Sequence, residues 1–168
     1  MRRFVKILDS ISERTGLIFI WLISIALAIM IYEVISRRIL HDPHVWTFEI
    51  ITLFSAAHFM LLAAFALRHR AHVSIDIIYL RFSPKGQAVL DIVAYLLFFF
   101  PFVFVLFKVG FDSASASWAT GETTLTAHLP LVLPTLKTIV PVAALLLLIQ
   151  GLSNLVRSVF FVARGEGL

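Results

Sequence analysis

Residues 16–36 read GLIFIWLISIALAIMIYEVIS, with Arg14 before the run and Arg37 after it. A helix needs about 20 residues to cross the hydrocarbon core of a bilayer. This run supplies them unbroken. Ala26, Leu27 and Ala28, behind Arg2, Arg3 and Lys6, resemble a signal-peptide cleavage site, but the apolar run is too long for a signal core. It is expected to be a retained span.

Working outward, three further runs have the same character: 45–67, 87–110 and 138–160. Pro43 and Arg68 bound the second. The turn signal Ser83, Pro84, Lys85, Gly86 precedes the third, and Lys137 the fourth. The runs lack the alternation that a membrane barrel requires. Helices also satisfy their own backbone, as lipid demands. Composition agrees: 60% of the 168 residues are hydrophobic, 14% are charged, and mean hydropathy is +0.97. Soluble domains carry about a quarter charged residues. The expected fold class is an all-α integral membrane protein, one four-helix membrane domain over residues 1–168.

The charges orient it. Arg2, Arg3, Lys6 and Arg14 precede span one. Arg68, Arg70, Arg81 and Lys85 lie between spans two and three, and Arg157 and Arg164 close the chain. Fewer cations flank the other side: Arg37, Arg38, Lys137 and, near the end of span three, Lys108. The positive-inside rule then puts both termini and the second loop in the cytoplasm. The segment from Arg68 to Phe82 groups Val73, Ile77 and Leu80 on one helical face and His72, Asp76 and Tyr79 on another. It is expected to lie as a cytoplasmic amphipathic segment in the interface, its basic residues toward membrane lipids.

Ionisable residues inside spans are functional candidates. Glu33, Glu49 and Lys108 lie near the outer ends, where interfacial pairing is expected, Lys108 with either glutamate. His58 is the deepest. The other histidines fall in loops, so a helix–helix hydrogen bond is expected of it rather than haem ligation. His41 with His44, and His69 with His72 and Asp76, are incomplete as metal sets. No cysteine is present, which excludes disulfides and thiolate chemistry. No phosphate loop, nucleophile elbow or zinc-protease motif appears, so neither enzyme activity nor a cofactor is expected. The net charge of +4 is explained by orientation, and no nucleic-acid partner is expected.

The span faces point to partners. Glu49, Ala56 and Ala63 recur every seven residues in span two and are expected to meet another membrane protein. Span four gathers Ala143, Leu147, Gln150, Gly151 and Asn154 on one side. Span three surrounds Pro101 with phenylalanines, a surface for lipid or a partner, and Pro101 is expected to bend the helix. The outer segment 111–136 reads as a long loop, polar at first, with Glu122 within it as a candidate partner contact.

Several short motifs in order carry a family resemblance. Trp46, Thr47, Phe48 and Glu49 open span two; Arg68, His69, Arg70, Ala71, His72, Val73 and Asp76 follow it. Trp118, Ala119, Thr120, Gly121, Glu122 and Thr123 lie in the outer loop, and 130–141 leads into span four. Together with the four-span plan, they make the chain resemble the small membrane (DctQ-type) subunit of tripartite ATP-independent periplasmic, or TRAP, transporters. The resemblance implies a scaffold in the bacterial inner membrane beside a large multi-span, sodium-coupled permease subunit, fed by a periplasmic substrate-binding protein, often with an organic acid. The chain ends soon after span four, so a separate subunit is expected rather than a fused one. Two other readings compete: a stand-alone four-span exporter and the membrane anchor of a redox enzyme.

Overall fold

The computed structural model of the protein describes residues 2–69 and 82–164. Those residues are helical apart from short connections and one isolated bridge between Thr123 and Pro130. The amphipathic segment expected after span two, with His72 and Asp76, lies outside the described residues.

Four helical stretches are long and apolar enough to cross a membrane: Val5–Leu40, Val45–Arg68, Pro84–Thr120 and Val132–Ala163. The first is built from α1 (Arg2–Phe19), α2 (Leu22–Ile35) and a π turn (Ser36–Leu40). The second comprises α3 (Val45–Leu61) and α4 (Ala63–Arg68). The third joins α5 (Pro84–Ala94) to α6 (Phe100–Thr120) through a π turn (Tyr95–Phe99). The fourth is α7 (Val132–Arg164).

Each boundary has a local cause. Ser83 caps α5 by accepting the Gly86 N–H at 3.3 Å, with Pro84 in the first turn, where its missing N–H is harmless. Gly121 ends α6 in the left-handed conformation at φ 60°. Pro101 cannot donate to the carbonyl four residues earlier, and the π turn directly before it absorbs the misfit. The π turn is how the helix accommodates Pro101.

Two expectations need correction. The outer segment 111–136 is not one long loop: residues 111–120 continue α6, and α7 already begins at Val132. Spans three and four thus pack past the hydrocarbon thickness. Span one also begins earlier than expected, because α1 reaches back to Arg2. It breaks at Ile20 and Trp21, where Trp21 N–H bonds Ile18 O at 3.3 Å in a tighter turn. Aromatic and β-branched residues crowd this point, which weakens helix propensity.

Span four is the hub, in contact with α1, α3, α4, α5 and α6. Small residues let the helices close up. Ala57, Leu61 and Ala64 bury against Ile139, Ala143 and Leu146, flanked by Phe19, Leu22, Leu53 and Leu147. At Gly151 an added Cβ would stand 2.3 Å from the Phe99 ring, and at Gly16 2.4 Å from the Phe65 ring. The outside is apolar, as lipid requires: Phe98, Phe102, Phe104 and Phe111 of span three are all exposed.

Candidate functional site: polar clusters at the two ends of the bundle

At the end opposite the termini, Glu33 of α2 is buried. Arg37, one turn on, donates to its Oε1 from Nη2 at 2.8 Å and from Nε at 3.2 Å. The backbone N–H of His44, the residue that opens α3, lies 3.3 Å from both carboxylate oxygens. A carboxylate at a helix N-terminus satisfies an orphan donor and complements the helix dipole. Ser36 closes the corner by donating to Asp42 O at 2.7 Å.

Glu49, in the first turns of α3, is also buried. Its Oε1 accepts the N–H of Ala127 at 3.0 Å, which ties span two to the loop between α6 and α7. That loop is shaped by Leu129 N–H donating to Thr124 Oγ1 at 2.9 Å. Glu122 sits where the loop leaves α6. It accepts the hydroxyl of buried Ser117 at 2.5 Å and pairs with Lys137 of α7. Those hydrogen bonds, first from Lys137 and then from Ser117, hold its carboxyl below the ordinary 4.5 against an opposing desolvation effect. Beside it, Trp118 Nε1 donates to Thr138 Oγ1 at 2.9 Å.

So Glu33, Glu49 and Glu122 gather at one end, but not as expected. Lys108 pairs with neither Glu33 nor Glu49; it is exposed on α6, and both glutamates have nearer donors. Ala56 and Ala63 are half-buried, beside Ala57 and Ala64 that fill the core against α7. His58 makes the helix–helix hydrogen bond expected of it, 3.1 Å from Phe19 O.

The other end holds a cluster of which the sequence showed only the span-four side, at Gln150, Gly151 and Asn154. Asp9 of α1 is buried, and its Oδ1 accepts Ser153 Oγ–H at 2.7 Å and Gln150 Nε2–H at 3.3 Å. Its Oδ2 pairs with Arg157. Asn154 Nδ2 donates to Tyr95 Oη at 3.0 Å, and its Oδ1 accepts from Gln150 at 3.2 Å. Arg68 donates from Nη1 to Asp9 O at 2.6 Å and pairs with Glu13. All four spans therefore meet here, and both ends of the chain lie on one side. The signal not read was the matching stripe of α1, where Asp9, Ser12 and Gly16 follow helical spacing, with Ser153 and Arg157 extending the face of Gln150 and Asn154.

Among the described residues no group of three or more His, Cys, Asp or Glu side chains is placed to hold a metal ion. Glu33, Glu49 and Asp9 each accept hydrogen bonds from the chain itself, and Glu49 Oε2 is buried without a partner among the described residues. A family model described as Tripartite ATP-independent periplasmic transporters, DctQ component, matches residues 26–161. The chain belongs to this DctQ family. It is a multi-pass membrane protein and a small-permease component of TRAP transporters. A comparison with curated proteins found no match. The family match starts within α2, so α1 and Asp9 precede it, while Gln150, Ser153, Asn154 and Arg157 fall inside.

Proposed function

We propose that this DctQ protein is a non-catalytic scaffold in the bacterial inner membrane. It holds the large sodium-coupled permease subunit for uptake of an organic-acid solute delivered by a periplasmic binding protein. The observation that carries the reading is the division between inside and outside. Glu33 and Asp9 are held by internal hydrogen bonds and Glu49 Oε1 by the Ala127 N–H, whereas span three offers the exposed aromatic face of Phe98, Phe102, Phe104 and Phe111. A bundle whose buried charges tie its helices together suits a fixed support.

The basic residues around the termini favour a cytoplasmic location for that end. The Glu33, Glu49 and Glu122 end is then periplasmic. Its loop carries Leu125, which is 95% exposed, beside a backbone anchored by Glu49. An exposed apolar tip on an anchored loop suits contact with the binding protein.

Reconstitution in proteoliposomes tests both statements. Solute uptake driven by a sodium gradient is expected only when this chain, the large subunit and the binding protein are all present. Uptake by this chain alone would overturn the scaffold reading. Leu125→Asp is expected to lower uptake without disturbing co-purification with the large subunit, and wild-type uptake removes the proposed loop contact.

A further inference from the structure

The amphipathicity of α1 is inverted. Val5, Asp9, Ser12 and Gly16 form its buried stripe, and two of these four are polar. The opposite face exposes Ile7, Ile11, Leu17 and Ile18, at 59%, 37%, 53% and 65%. A helix on a water-soluble domain does the reverse. The medium around this face is therefore lipid. Yet Lys6 and Arg14 stand on the same face, two turns apart, with Ser10 between them. These three side chains, with Ile7 and Ile11, line an open cleft of about 340 Å³.

Among the described residues, the side chains of Lys6 and Arg14 have no hydrogen-bond or ion-pair partner. The two acids of the same helix are turned away, Asp9 to Arg157 and Glu13 to Arg68. Two unpaired cations flanked by exposed isoleucines match a ligand with an anionic head and apolar tails.

We propose that the cleft of α1 between Lys6 and Arg14 binds the phosphate headgroup of an anionic phospholipid through these two cations, Ser10 between them donating to Lys6 O at 2.7 Å, with Ile7 and Ile11 against its acyl chains. The leaflet is the one on the side of the termini, where anionic headgroups and basic residues attract. The proposal rests on the face of α1 and stands apart from the transport role. The site would fasten the outside of α1 to the membrane, while Asp9 fastens its inside to α7.

The test is native mass spectrometry of the full chain from detergent, titrated with phosphatidylglycerol or phosphatidylcholine. The wild type is expected to retain phosphatidylglycerol over phosphatidylcholine. Each Lys or Arg near an anionic surface contributes about 5-fold, so Lys6→Gln with Arg14→Gln is expected to weaken retention roughly 30-fold. Lys85→Gln, at another cation on the same side, is expected to leave retention unchanged, and inorganic phosphate is expected not to displace the lipid. If the double variant unfolds, Lys6→Gln alone is expected to weaken retention about 5-fold. Equal retention of both lipids overturns the proposal, as does an equal loss with Lys85→Gln or displacement by phosphate. Unchanged phosphatidylglycerol retention with lost co-purification of the large subunit also overturns it, and makes the face a protein contact.

Discussion

The Nδ1 atom of His58 lies 3.1 Å from the carbonyl oxygen of Phe19. Phe19 is the last residue of α1, and among the described residues no backbone N–H bonds its carbonyl where span one breaks. A bare carbonyl is costly in an apolar bundle, and His58 meets that cost from the neighbouring span. The geometry requires the tautomer with the proton on Nδ1.

The first prediction follows. His58→Leu keeps the bulk but strands the carbonyl, and is expected to destabilise the protein by about 1 kcal/mol. His58→Gln retains a donor and is expected to recover part of the loss. Thermal unfolding in detergent reads both. An unchanged midpoint for His58→Leu would remove the helix-break account.

Asp9 and Arg157 call for a double-mutant cycle. Asp9→Leu leaves Arg157 without its partner, and Arg157→Leu leaves a buried carboxylate with only Ser153 and Gln150. Breaking a buried pair from one side costs more than replacing both members. Each single change is expected to cost about 2 kcal/mol, below the roughly 3–5 kcal/mol of a fully buried pair because Arg157 is partly exposed. The double change is expected to cost less than the sum. Strict additivity of the three unfolding midpoints would show that the two charges do not interact.

These two relationships show where the sequence was legible. Spans were readable because lipid imposes one rule on every residue of a crossing helix, so runs such as 16–36 stand out whatever they pack against. His58 was readable because a single polar side chain at mid-span has few alternatives. Asp9 was not, because its meaning depends on partners such as Gln150, 141 residues away in the chain. In sequence it sits in a charged N-terminal segment that looks like an orientation signal. Lys108 was misassigned for a related reason. Depth along a span can be counted, but the face that a side chain takes around the helix depends on which neighbours arrive first. Glu33 found Arg37 one turn away, and Glu49 found a loop backbone.

Gly151 sets how closely α7 meets span three. An added Cβ there would be 2.3 Å from Cε1 of Phe99, inside any permitted contact. Gly151→Leu is expected to cost about 1–3 kcal/mol through overpacking. Gly151→Ala is expected to cost less in a Phe99→Ala background than in the wild type, because the clash is gone there. An equal drop in melting temperature in both backgrounds would mean that Phe99 swings away freely, and that the close approach does not depend on the glycine.

Glu122 gives the bundle a dependence on acid whose sign can be worked out. Its carboxyl titrates below the ordinary 4.5 because Lys137 and Ser117 hydrogen-bond the ionised form. A lowered folded-state value means that ionisation favours the folded protein. The contribution is fully present above the unfolded value near 4.5 and disappears as pH falls through the lower folded one. Glu122→Gln removes the titration while keeping the shape. The stability difference between wild type and this variant is therefore expected to be constant from neutral pH down to about 5.5, and to shrink below 4.5. Lys137→Met is expected to flatten the same acid limb, since it removes the main cause of the shift. Melting temperatures recorded from neutral pH to about pH 3.5 provide the comparison. A difference that stays level across that range would mean that Lys137 does not hold the Glu122 carboxylate in its ionised form.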